Sequence, residues 1–278
     1  MPTALTDDGI SISYESAGEG PPSLLCLHGW AGSGRYFDAT IQQLDLARVR
    51  AVTFDLRGHG RSDPAGDAYT LDRIAADSLA VADAAGLDEF VVLGYSMGAK
   101  FAQYLASLAP ERVRGLILLA GCPVGEIPLP AELTEDWLSR EGDAGRMAEI
   151  AEMYSSNAIE PQLLERFGQD AALVGRAALE GSLDAAAATS FADRVGAIAA
   201  PAVVVGGIHD GMFTPELLRE AVVAPLPGAR LALLDAGHEI PIELPRQLAA
   251  LIEAFLAGLH ADAQPEARVF EAARVTRA

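Results

Sequence analysis

The chain has 278 residues, half of them apolar and 21% charged, enough for one large domain with a sizeable core. Its formal net charge of −19 argues against nucleic acid and anionic membrane surfaces as partners, because both repel an acidic body. No apolar run approaches the roughly 20 residues that cross a bilayer. The start, Met1-Pro2-Thr3-Ala4-Leu5-Thr6-Asp7-Asp8, lacks the basic and apolar segments of a secretory signal, so a cytoplasmic location is expected. Two cysteines, Cys26 and Cys122, form neither a disulfide framework nor a metal-binding pattern. Cys26 lies in an apolar run. Cys122 follows another and can be small apolar filler or lie near a site.

The first elements are β-like. Ile10 to Tyr14 alternate apolar and polar, as a half-buried strand does, and Asp7-Asp8-Gly9 before them suits a hairpin turn. Gly18 to Pro22 is a loop. Four short apolar runs follow, at Ser23–Leu27, Val49–Phe54, Phe90–Leu93 and Val113–Leu119. Most lack polar alternation, which fits parallel strands buried on both faces; Arg50 makes the second the weakest. Helical spacing lies between them, at Tyr36–Leu46, Leu71–Ala85 and Met97–Leu108. Alternating strand and helix predicts a doubly wound α/β sheet with crossover connections.

The alternation stops after Gly121. From Pro123 to Ile198 the pattern is helical, with candidates at Ala131–Glu141, Ala144–Met153, Pro161–Phe167 and Ala171–Leu179. Strands resume at Pro201–Val205 and Arg230–Leu234, and Leu244–Leu259 forms a closing helix with Pro245 in its first turn. The expected organisation is a core domain of residues 1–122 and 199–260, a helical insertion of 123–198, and a tail of 261–278.

The strongest chemical signal is Gly94-Tyr95-Ser96-Met97-Gly98, with a strand before it and a helix after it. This is the context of a nucleophile elbow, in which a serine on a sharp turn projects its hydroxyl from the carboxyl edge of the sheet. A serine needs a base. Of five histidines, His238 follows the last strand, in Asp235-Ala236-Gly237-His238-Glu239, where a loop can reach back to the serine. The base needs a carboxylate partner, and Asp210 follows the neighbouring strand in Gly206-Gly207-Ile208-His209-Asp210. Asp235 competes for that role but ends its own strand. The N–H of Met97, next to the serine, and an N–H of Trp30 in His28-Gly29-Trp30 are the expected oxyanion donors. The Trp30 ring can wall the pocket or simply pack.

These motifs resemble the α/β-hydrolase superfamily. His28-Gly29-Trp30, Asp55-Leu56-Arg57-Gly58-His59-Gly60-Arg61-Ser62, the elbow, Asp210 and Gly237-His238 follow the family's order over about residues 25–260. The Asp55–Ser62 stretch is similar to a structural loop of the capped esterase, lactonase and C–C hydrolase branch. The resemblance implies an eight-stranded, mostly parallel sheet with a helical cap after the sixth strand. It implies catalysis by Ser96, Asp210 and His238 with no metal or organic cofactor. The substrate would be a small-molecule ester or lactone, with a vinylogous diketone or peracid formation as alternatives and a non-catalytic ligand-binding receptor as a further one. Dehalogenases and epoxide hydrolases carry aspartate at the elbow, which Ser96 argues against. Lys100, the sole lysine, stands one turn past Ser96, where it can reach substrate or tie to the cap. Tyr95, Trp137 and Lys100 are the pocket candidates. Oligomeric state is not legible.

Overall fold

The computed structural model describes residues 1–262. Most of the expected tail, residues 263–278, lies outside the described residues. The strands are β1 (Thr3–Leu5), β2 (Ser11–Ala17), β3 (Ser23–Leu27), β4 (Arg50–Phe54), β5 (Phe90–Tyr95), β6 (Val113–Leu119), β7 (Ala202–Gly207) and β8 (Arg230–Leu234). They form one sheet in the order β1-β2-β4-β3-β5-β6-β7-β8. β2 runs antiparallel to β1 and β4, and the remaining pairs are parallel. This is the α/β-hydrolase fold.

Both faces of the central strands are covered, which is why their sequences read as unbroken apolar runs. Leu25, Leu27 and Val92 point to one side, under α2 (Leu71–Ala84) and α3 (Met97–Leu108). Leu24, Cys26, Val91 and Leu93 point to the other, against α10 (Pro245–Asp262). The predicted helix over 36–46 is not continuous. A 3-10 turn at Gly34–Phe37 leads into a single turn, α1 (Asp38–Ile41), followed by tight turns. The apolar spacing there reports burial: Tyr36, Phe37 and Leu44 reach the α10 side of the core without a regular helix.

Between β6 and β7 lie α4 (Ala131–Leu138), α5 (Ala144–Tyr154), α6 (Pro161–Ala172) and α7 (Arg176–Ala187), with their own apolar cluster around Met147, Val174 and Leu179. Two predicted boundaries in this insertion were wrong. α6 runs on through Gly168, whose missing side chain lets α5 approach: a Cβ there would stand 2.2 Å from the Ala144 carbonyl oxygen. The expected helix at 171–179 is instead broken at Leu173–Gly175, where Gly175 adopts extended backbone and starts α7. After β7 come α8 (Pro215–Leu217) and, before α10, α9 (Ile240–Glu243). No helix among the described residues is long and apolar enough to cross a membrane.

The Asp55–Ser62 loop ties these layers together. Asp55 accepts from the N–H groups of Gly34 (2.7 Å) and Arg61 (2.9 Å). Arg57 is buried and forks onto Asp77 at 2.6 and 2.7 Å. Burial raises the Asp77 carboxyl against the opposing pull of Arg57. Replacing Arg57 with alanine strands that carboxylate, so urea unfolding should show a loss of about 3–5 kcal/mol. An unchanged midpoint would mean the ion pair contributes nothing to the fold.

Candidate active site

β5 ends in Tyr95 and α3 begins at Met97, so Ser96 must reverse the chain in one residue. It does so at φ 52°, in the left-handed region a non-glycine residue enters only under constraint. The flanking glycines relieve the crowding. A Cβ on Gly94 would lie 2.4 Å from the Gly98 carbonyl oxygen, and one on Gly98 would lie 2.3 Å from that of Leu27. Ser96 N–H donates to Leu119 O at 2.8 Å, fixing the turn to β6.

His238 comes from the loop after β8. Its Nε2 stands 3.0 Å from Ser96 Oγ, and its Nδ1 stands 2.8 Å from Asp210 Oδ2. The other Asp210 oxygen accepts from the N–H groups of Met212 (2.8 Å) and Phe213 (2.9 Å). With Asp210 as a pure acceptor, Nδ1 carries the proton and Nε2 is free to accept from the serine hydroxyl. Burial pushes the Asp210 carboxyl up, but His238 and the two N–H groups outweigh it and hold the carboxyl low. Burial pushes the His238 imidazole down, while the charge and hydrogen bond of Asp210, with Glu239 and Glu243 behind it, raise it above 6.5. Asp235, the competing carboxylate, instead faces His209 at 2.9 Å on the surface.

The histidine loop is held by the insertion. His238 N–H donates to the Tyr154 carbonyl at 2.7 Å, at the end of α5. Gly237 lets that strand of backbone pass, since a Cβ would lie 2.4 Å from the same oxygen. Glu243 accepts from the N–H groups of Gly237 and Glu239, on either side of His238, and from those of Ser156 and Asn157.

A cavity of about 460 Å³ opens above Ser96, walled by Trp30, Trp137, Tyr154, Phe167, Leu183 and Phe213, among others. Tyr95 and Trp137 both line it. The N–H groups of Met97 and Trp30 have no backbone acceptor among the described residues. The Trp30 indole N–H, one of the two donors that residue offers, is committed elsewhere: it donates to the Leu179 carbonyl of α7 at 2.9 Å. Lys100, a pocket candidate, takes instead the other role expected of it, a tie to the insertion. It does not line the cavity, because its buried amine donates to the carbonyls of Gly125 (2.8 Å), Ala186 (2.7 Å) and Thr189 (2.6 Å). Burial lowers that amine to about 8. The three carbonyls flank the two ends of the helical insertion, so the sole lysine fastens both ends to α3.

Sequence reading missed Tyr36, Glu239 and Glu243. Tyr36 and Glu239 meet in the cavity wall across 203 positions of chain, so no local pattern could pair them. The one local signal was an acid directly after the histidine.

A family model for the α/β hydrolase fold matches residues 22–148. A Mycobacterium tuberculosis protein with the provisional name non-heme bromoperoxidase BpoC is 30% identical, over 91% of this chain and 100% of that one. A 2-hydroxy-6-oxononadienedioate/2-hydroxy-6-oxononatrienedioate hydrolase of Paraburkholderia xenovorans is 27% identical, over 90% and 92%. The solved structure of Est816, an N-acyl homoserine lactone degrading enzyme, superposes with a TM-score of 0.75 at 27% identity, covering 91% of this chain and 100% of that one. The chain belongs to the α/β-hydrolase superfamily.

The raised imidazole is directly measurable. In an NMR titration, His238 should titrate above 6.5, and Asp210→Asn should bring it down. The sign for stability follows from the linkage: a pair that favours the imidazolium in the folded state adds stability below pH 6.5, and this is lost as pH rises through the raised value. A midpoint below 6.5 in the unmodified protein would mean that burial, and not the Asp210 carboxylate, dominates at the imidazole.

Proposed function

We propose that this protein is a serine hydrolase of neutral carboxylic esters or lactones, acting through Ser96, His238 and Asp210. One observation carries the reading: the hydroxyl, imidazole and carboxylate lie in a continuous hydrogen-bonded line whose hydroxyl and imidazole border the cavity. Ser96 Oγ attacks the substrate carbonyl while His238 Nε2 takes its proton. The tetrahedral oxyanion is held by the backbone N–H groups of Met97 and Trp30. Collapse breaks the ester bond, and the proton passes from His238 to the leaving alkoxide. Water then gives its proton to His238 and attacks the acyl-enzyme, and the acid leaves as Ser96 regains its proton. Asp210 keeps the imidazole in the required tautomer throughout. The helical insertion acts as a cap that shields the acyl-enzyme and selects the acyl group.

The lining supports a neutral substrate. Among the described residues that wall the cavity there is no lysine or arginine, while Glu126 and Glu239 are both present. A dicarboxylate such as the substrate named for the Paraburkholderia relative would bury its charges without partners. That disfavours the diketone alternative. The haloperoxidase name of other relatives favours one second reading, in which hydrogen peroxide replaces water and the acyl-enzyme yields a peracid.

Two outcomes are expected. Ser96→Ala should abolish hydrolysis of p-nitrophenyl butyrate with the circular dichroism spectrum unchanged, and Asp210→Asn should lower kcat by about 10⁴-fold; wild-type rates in either variant would refute the assignment. In the wild type, a dianionic diketone should be turned over about 10²-fold or more less efficiently than a neutral ester, since an unpaired buried charge costs that much. Equal efficiency would reverse the substrate reading.

A further inference from the structure

The cavity has a buried polar corner that the proposed chemistry does not use. Glu239 is 5% exposed and lines the cavity beside His238. Its Oε2 accepts from the hydroxyls of both Tyr36 and Tyr95, the latter at 2.7 Å. The two phenol rings stack at 5.0 Å, and the Tyr95 ring lies 5.3 Å from that of His238. Oε1 has no hydrogen-bond partner among the described residues, yet it is not among the sealed, unsatisfied atoms. It therefore opens onto the cavity. A carboxylate held on one oxygen by two donors, with the other oxygen left free in a mainly apolar wall, is an acceptor awaiting a donor.

Resting on the esterase reading above, we propose that Glu239, oriented by Tyr36 and Tyr95, is a specificity subsite that binds a hydroxyl group of the substrate. The subsite and the nucleophile share one cavity. Glu239 directly follows His238, and Ser96, His238 and Glu239 all line it. One substrate can therefore present its carbonyl to Ser96 and a hydroxyl to Glu239, which makes hydroxy-acyl esters and hydroxylated lactones the favoured class. A hydroxyl suits this corner better than an ammonium group, whose full charge would have to be stripped of water in a largely apolar cavity. Burial raises the Glu239 carboxyl, against the pull of His238 and the two tyrosines. The donated hydrogen bond is then strongest once pH exceeds that raised value.

The test compares isosteric pairs, in which a hydroxyl replaces a methyl: p-nitrophenyl 3-hydroxybutanoate against 3-methylbutanoate, and 5-hydroxypentanoate against hexanoate. The wild type should favour the hydroxyl member of at least one pair by about tenfold in kcat/KM. Glu239→Gln should remove or invert that ratio, because the amide oxygen can satisfy the tyrosines only by turning its NH₂ toward the cavity. A merely structural glutamate would lower both members equally and leave the ratio alone. Should Glu239→Gln fail to fold, a crystal structure of Ser96→Ala with the preferred hydroxy ester decides: the hydroxyl within hydrogen-bond distance of Glu239 Oε1 supports the subsite, and a hydroxyl elsewhere overturns it. A wild type that hydrolyses the plain esters but shows no hydroxyl preference overturns the subsite and leaves the hydrolase reading standing. A wild type that hydrolyses no ester overturns both.

Discussion

The close passage of backbone at the β5–α3 elbow constrains everything above it. Ser96 can sit at φ 52° because Gly94 and Gly98 let three stretches of main chain meet at distances no side chain tolerates. β3 passes beside Gly98 at Leu27, so the loop that follows β3 is brought to the serine as well. That places Gly29 and Trp30 beside Ser96 in the cavity wall. The sheet supplies the rest, since β7 and β8 are neighbours and their following loops carry Asp210 and His238 to the same rim. A second close passage repeats the device: a Cβ on Gly207 would lie 2.0 Å from the Gly237 carbonyl oxygen.

The helical insertion is not an independent lid resting on this arrangement. It holds the histidine loop through Tyr154, Ser156 and Asn157, holds Trp30 through Leu179, and is itself pinned by Lys100. The parts that enclose the cavity thus also orient His238. Substitutions in residues 154–157 should be felt at His238.

Much of this was legible in the chain. The strands announced themselves because burial on both faces removes polar alternation, and Ser96, Asp210 and His238 each sit just beyond a strand, where local sequence reveals them. What stayed hidden depends on distant contacts. Tyr36 looked like the start of a helix, yet it serves as one of the donors that hold Glu239. Lys100 shares a helical face with Ser96, which left pocket and cap both open; three carbonyls of the insertion decide for the cap. The break between α6 and α7 escaped notice because Ala-rich sequence favours helix on both sides of it.

Ser96 owes its nucleophilicity, on this reading, to the imidazole 3.0 Å away. Labelling with a fluorophosphonate, followed by peptide mass spectrometry, tests that dependence most directly. A single adduct on Ser96 is predicted, formed rapidly above the His238 midpoint and slowing as pH falls through it. An adduct on another residue, or none on the folded protein, would contradict it.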